Sequence, residues 1–153
     1  MKSTIYFINN NISFHLKNKK KLREWISATI LEENKFVGNI TFIFCDDEYL
    51  SDINNKYLNS NYLTDIITFS YNEDQMISGD IMISIERVKE NAKIYKTFFL
   101  NELSRVMKVR LEKNELSRVM IHGILHLCGY KDKSEKEKTN MQEKENYYLS
   151  KYC

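Results

Sequence analysis

Residues 121–132 read I-H-G-I-L-H-L-C-G-Y-K-D, and no other run constrains the fold of this chain as strongly. His122 and His126 are four apart, which on an α-helix sets the two imidazoles about 40° apart on one face and about 6 Å apart along the axis. That spacing suits two ligands of one tetrahedral ion. The intervening positions are apolar or glycine, so the other side of the same helix has to be buried against a further layer. Gly129 can close the helix in a left-handed cap, turning the chain so that Asp132 reaches back to the ion. Three protein ligands leave a fourth position for water, which separates a catalytic zinc site from a closed structural one. His15, the third histidine, stands alone and reads as structural.

Upstream, Leu116, Val119, Met120, Gly123 and Leu127 continue a buried face at i, i+3, i+4, i+7 and i+11. That stripe runs into a repeat, because residues 101–107 and 114–120 both read NELSRVM. Thirteen residues at about 100° each fall roughly 140° short of whole turns, so two copies in one helix cannot show the core the same face. The second copy is expected to hold the native slot. The first, with its KVRLEK tail, then extends the helix outward, bulges as a loop or competes for the same place. Deleting 101–113 or 108–120 leaves the identical sequence FFLNELSRVMIHG, which points to an ancestor shorter by this segment.

The remaining pattern alternates strands with helices. Residues 4–7 and 12–16 read as short strands around an Asn-rich turn, and 20–33 as a helix burying Leu22, Trp25, Ile26 and Ile30. Residues 39–45 read as a strand. Asp46 and Asp47 then cap a helix whose predicted buried stripe is Leu50, Ile53 and Tyr57. Residues 65–71 and 80–85 are β-rich, and helical patterns fill most of 86–128 and 134–150. The mixed Lys and Glu of the last segment read as a solvated face of little functional content. The expected architecture is α/β (α+β): a single domain over 1–153 with a mixed four- to five-stranded sheet covered by helices, one of them a metalloprotease-like helix carrying HxxxH.

Composition closes off several classes. The 153 residues hold no proline and no Ser/Gly-rich linker, so no domain boundary is visible. No apolar stretch approaches the ~18 residues of a membrane span and no signal-peptide layout is present, so a cytoplasmic protein with no membrane partner is expected. Cys45, Cys128 and Cys153 form no CxxC pair and read as reduced thiols. The net charge of +2 indicates little, but Lys2, Lys17, Lys19, Lys20, Lys21 and Arg23 stand with no acid among residues 1–23. This basic patch reads as a solvated helix start, with phosphate attraction as the alternative.

Taken with the blocks FCDDEYLSDIN (44–54), LTDIITF (63–69) and SGDIMIS (78–84), the H-G-I-L-H-L-C-G-Y-K-D run resembles the YbeY endoribonucleases over most of the chain. The resemblance implies a zinc-dependent single-strand endoribonuclease acting in 16S rRNA 3′-end maturation and ribosome quality control. It also implies one Zn²⁺ per chain on His122, His126 and Asp132, with ribosomal RNA, the small ribosomal subunit and assembly factors as partners. Two positions depart from the family pattern. The third ligand is usually a histidine after an aspartate, whereas here the pair is Lys131-Asp132; and Leu58 stands where an arginine is common. Lys56 and Lys131 are then the nearest candidates for a phosphate, with plain surface lysines as the alternative, and Tyr130 either stacks on a base or packs under the metal loop. By the resemblance, Thr64 and Asp65 border the cleft and support the ligands from behind.

Gly123 occupies the place of the glutamate in an HExxH metalloprotease, so protease chemistry lacks its base, and the glycine reads as a close helix–sheet contact. Asp80 reads either as a turn residue after Gly79 or as a site residue. The residues identify no general base beyond water on the metal. Two other functions stay open: a metal-binding ribosome-assembly factor without a catalytic role, and a metallohydrolase of another substrate.

Overall fold

The computed structural model describes residues 4–58, 64–99 and 105–152. The elements run β1 (Thr4–Asn9), α1 (Lys19–Glu32), β2 (Phe36–Cys45), α2 (Asp47–Leu58), β3 (Ile66–Ser70), β4 (Met76–Ser84), α3 (Ile85–Phe99), α4 (Arg105–Leu127) and α5 (Glu135–Tyr152). Among the described residues four strands form one mixed sheet in the order β1-β2-β4-β3, with β1, β2 and β4 parallel and β3 antiparallel to β4.

Alternation along β2 explains the layering. Ile40, Phe42 and Phe44 are buried in one core with Ile26 and Ile30 of α1 and Met120, Ile121 and Ile124 of α4. The neighbouring positions Ile43 and Cys45 point to the other face, where they pack with Leu50 of α2 and with Ile67 and Met82. A strand apolar on both faces needs helices on both sides, and the α+β fold supplies them. α4 lies close to the sheet because Gly123 has no side chain: a Cβ there would stand 2.9 Å from Ile66 Cδ1 and 2.9 Å from Ile81 Cγ2. Among the described residues no helix is long and apolar enough to cross a membrane.

Four expectations are corrected. Residues 12–16 form no strand. β1 pairs in parallel with β2, which demands a crossover instead of a hairpin. The segment packs Ile12 and Phe14 against the core as irregular chain, tied by the Asn9 Nδ2 to Phe14 carbonyl bond of 2.7 Å. On α2, Tyr57 is 57% exposed, and Asn54, 3% exposed, takes the inner position instead. Asp80 lies within β4 opposite Thr41 and Phe69, in no turn. Finally, α5 is not wholly solvated, since Met141, Glu145 and Tyr148 are buried.

α4 is one helix from Arg105 to Leu127, and residues 108–113 lie within it. In the second NELSRVM copy Val119 and Met120 are buried and Leu116 packs against the core. Residues 101–104 of the first copy lie outside the described residues.

Candidate metal centre

The last turns of α4 carry both histidines on one partly exposed face. His122 Nε2 and His126 Nε2 are 3.0 Å apart, and Asp132 Oδ2 lies 3.3 Å from the first and 3.2 Å from the second. These three are the one group of metal-ligating side chains that converge among the described residues. Each ring's far nitrogen already has an acceptor: Glu145 Oε2 is 2.7 Å from His122 Nδ1, and the Tyr130 carbonyl is 3.0 Å from His126 Nδ1. A carbonyl oxygen can only accept, so neutral His126 carries its proton on Nδ1 and presents a bare Nε2; the Glu145 carboxylate assigns the same tautomer to His122. Two lone pairs and a carboxylate oxygen then face one point, an arrangement that a bound cation favours. Donor atoms of a tetrahedral site with bonds of about 2.0 to 2.1 Å stand roughly 3.4 Å apart, so the donor set fits zinc.

Local chain geometry makes the third arm. Gly129 has φ 110°, and the Gly129 and Tyr130 amides donate to the carbonyls of His126 and Leu125, both at 3.0 Å. This is a Schellman cap, and it reverses the chain so that Asp132 returns to the histidines. Tyr130 is held at its other end, where its hydroxyl donates to Glu33 at 2.7 Å; Tyr148 donates to the same carboxylate and the Lys144 ammonium lies 3.3 Å away. Burial alone pushes the Glu33 carboxyl up, but the Tyr148 and Tyr130 hydroxyls and Lys144 together hold it below its ordinary value.

Glu145 is the residue that sequence reasoning missed. Its side chain is 9% exposed, with one oxygen on His122 and the other 2.9 Å from Arg118 Nη1. Arg118 Nη2 donates onward to Asn146 Oδ1 at 2.7 Å. Burial works to lower the His122 pKa; the hydrogen bond and charge of Glu145, followed by the charges of Asp132 and Asp65, outweigh it and raise the value above the ordinary one. The available signal was a glutamate between Met141 and Tyr148 at i+4 and i+7, a carboxylate inside an apolar stripe.

The other predicted residues are dispersed. Asp65 stands just before β3, and burial raises its carboxyl against the lowering pull of His122. Thr64 Oγ1 donates to the Ile66 carbonyl at 3.2 Å, a bond within the turn into β3. Lys131 is exposed beside Asp132. Lys56 is exposed on α2, which packs on the opposite sheet face from α4, and its ammonium sits 5.4 Å from the Tyr57 ring. His15 is exposed on the segment before α1, and Asp80 accepts from the Tyr71 hydroxyl at 3.1 Å. Cys45 and Cys128 are free thiols, each pushed by burial to about 12, and so are poor nucleophiles and poor ligands.

A cleft of about 1060 Å³ opens beside the three-residue cluster, lined by Glu115, Arg118, His122, Asp132, Lys138 and Glu145 among others. The family model described as Endoribonuclease YbeY matches residues 5–153. A Karelsulcia muelleri protein named Endoribonuclease YbeY is 49% identical over 136 residues, covering 89% of this chain and 87% of its own. Its namesake from Flavobacterium psychrophilum is 47% identical over 141 residues, covering 92% and 91%. The solution structure of a Thermotoga maritima protein superposes with a TM-score of 0.60 at 25% identity, covering 97% of this chain and 89% of that one.

Proposed function

The chain belongs to the YbeY endoribonuclease family, and from that membership we propose that it is a zinc-dependent single-strand endoribonuclease that matures the 3′ end of 16S rRNA and serves ribosome quality control. The convergence of His122 Nε2, His126 Nε2 and Asp132 Oδ2 within 3.0–3.3 Å, with both Nδ1 atoms already engaged, carries this reading. In it those three residues hold one zinc ion. A zinc ion there supplies a Lewis acid for the scissile phosphate and lowers the pKa of water.

The chain's own groups orient the substrate. Lys131, exposed next to Asp132, is assigned to a phosphate beside the ligand cluster. Lys56, across the sheet, suits a phosphate further along the strand. Asp65 steadies His122 through its charge, and Thr64 holds the turn that presents Asp65. With its hydroxyl on Glu33, Tyr130 is assigned to packing the ligand loop and not to stacking on a base. The whole of 1–153 acts as one domain in which 101–113 or 108–120 is an insertion. The protein works in the cytoplasm on ribosomal RNA, with the small ribosomal subunit and its assembly factors as partners.

The test is elemental mass spectrometry on untagged protein, followed by cleavage of a single-stranded rRNA fragment. The expected result is about one zinc per chain, lost with cleavage in His126→Ala. Asp132→Ala should abolish cleavage while ribosome association persists. Zinc-free wild type, or cleavage unaffected by both substitutions, overturns the proposal.

A further inference from the structure

A carboxylate on an apolar helix stripe is disfavoured unless both oxygens are satisfied, and at Glu145 both are. Oε2 lies 2.7 Å from His122 Nδ1 and Oε1 lies 2.9 Å from Arg118 Nη1. Arg118 and His122 are one helical turn apart on α4, so one carboxylate on α5 grips two successive turns of the helix that carries the histidines. Only the second NELSRVM copy can supply that grip. Its arginine stands four residues before His122, whereas Arg105 of the first copy stands four before Val109.

We infer that Glu145 is the positioning residue for His122: its carboxylate, anchored by Arg118, fixes the imidazole's tautomer and aim. The inference rests on the metal reading of the three-residue cluster. Accepting from Nδ1–H leaves the lone pair on Nε2, which faces His126 Nε2 at 3.0 Å and Asp132 Oδ2 at 3.3 Å. Without the carboxylate the ring is free to carry its proton on Nε2, where the proton blocks the ligand position, and to turn about its side-chain bonds. A charged acceptor also makes the imidazole a stronger donor to a cation than a carbonyl partner does. Removing such a partner typically weakens metal binding about 10- to 100-fold.

The experiment uses the full chain with Glu145→Gln and Glu145→Ala. Zinc affinity is read by competition with a chromophoric chelator, and the His122 tautomer of the metal-free protein by long-range ¹H–¹⁵N correlation at the basic end of a pH series, once the ring ¹⁵N shifts have stopped changing. Wild type should show Nδ1–H at His122. Glu145→Ala should shift it towards Nε2–H and weaken zinc binding about 100-fold; Glu145→Gln, which keeps an acceptor without the charge, should weaken it about 10-fold. His126 should keep its tautomer in both. If Glu145→Ala fails to fold, as its thermal melt would reveal, Glu145→Gln decides. Wild-type zinc affinity in Glu145→Gln together with an unchanged His122 tautomer in every folded variant overturns the assignment. A wild type that takes up no zinc defeats the metal reading, while the tautomer comparison still decides whether Glu145 governs His122.

Discussion

The two histidines of α4 sit one turn apart and are secured in different ways. His126 donates to the carbonyl of Tyr130, four residues on, inside the cap that ends its own helix. His122 is held by Glu145, 23 residues away on α5. One anchor is backbone, neutral and local; the other is a side chain, charged and distant in sequence. The local anchor forms whenever the helix ends where it does, while the distant one exists only after α5 has docked. Disturbing the shared base should therefore fail both histidines together, and disturbing either anchor should fail one.

The largest effect is expected at the shared base. Gly123→Val places a branched side chain where even a single Cβ would stand 2.9 Å from Ile66 Cδ1 and Ile81 Cγ2. Overpacking of this kind costs about 3 kcal/mol at the upper end of its usual range. Urea unfolding should show that loss, and zinc titration should show both histidines displaced as α4 lifts from β3 and β4. A Gly123→Val protein with wild-type stability would mean that α4 does not rest on the sheet through this contact.

Gly129→Ala separates the anchors. No atom lies within 4 Å of a Cβ at this position, so the cost is confined to the backbone at φ 110°. For an L-residue that is about 1 to 2 kcal/mol. The cap should loosen, His126 should lose its fixed Nδ1–H tautomer, and His122 should keep its own. Equal disturbance of both rings by NMR would show that the anchors are coupled after all.

This contrast also explains how far the site was legible before the fold was known. The four-residue histidine spacing, Gly129 and Asp132 lie within a dozen residues, and helix geometry alone brings them together. The strand at 39–45 and the close helix–sheet contact at Gly123 were readable for the same reason, because each follows from a short run. Glu145 was not, since its role depends on how α5 lies across α4. The Lys/Glu-rich surface of α5 outweighed the single buried stripe that carries it. Residues 12–16 failed differently: an alternating pattern reports burial, and burial was satisfied without strand pairing. Tyr57 and Asn54 show the same limit on α2, where the inner position was filled by a polar residue.

The smallest expected effect lies behind the local anchor, at Glu33. Its carboxylate accepts from Tyr130 and Tyr148 and faces Lys144, so it ties the ligand loop to α1 and α5. Because these partners hold its folded value below the ordinary 4.5, its charge contributes stability that is fully present above 4.5 and is lost as pH falls through the lowered folded value. Glu33→Gln keeps an acceptor for the hydroxyls and removes only the charge, which should lower stability at neutral pH by about 0.5 to 1 kcal/mol. Urea midpoints of wild type and Glu33→Gln should therefore differ at pH 7 and converge on acidification. A gap that stays constant down to about pH 3, below the normal carboxylate range, would show that the carboxylate's charge does not stabilise the loop. His126 should keep its tautomer throughout, since its partner is the Tyr130 backbone and only the far end of that residue has been loosened.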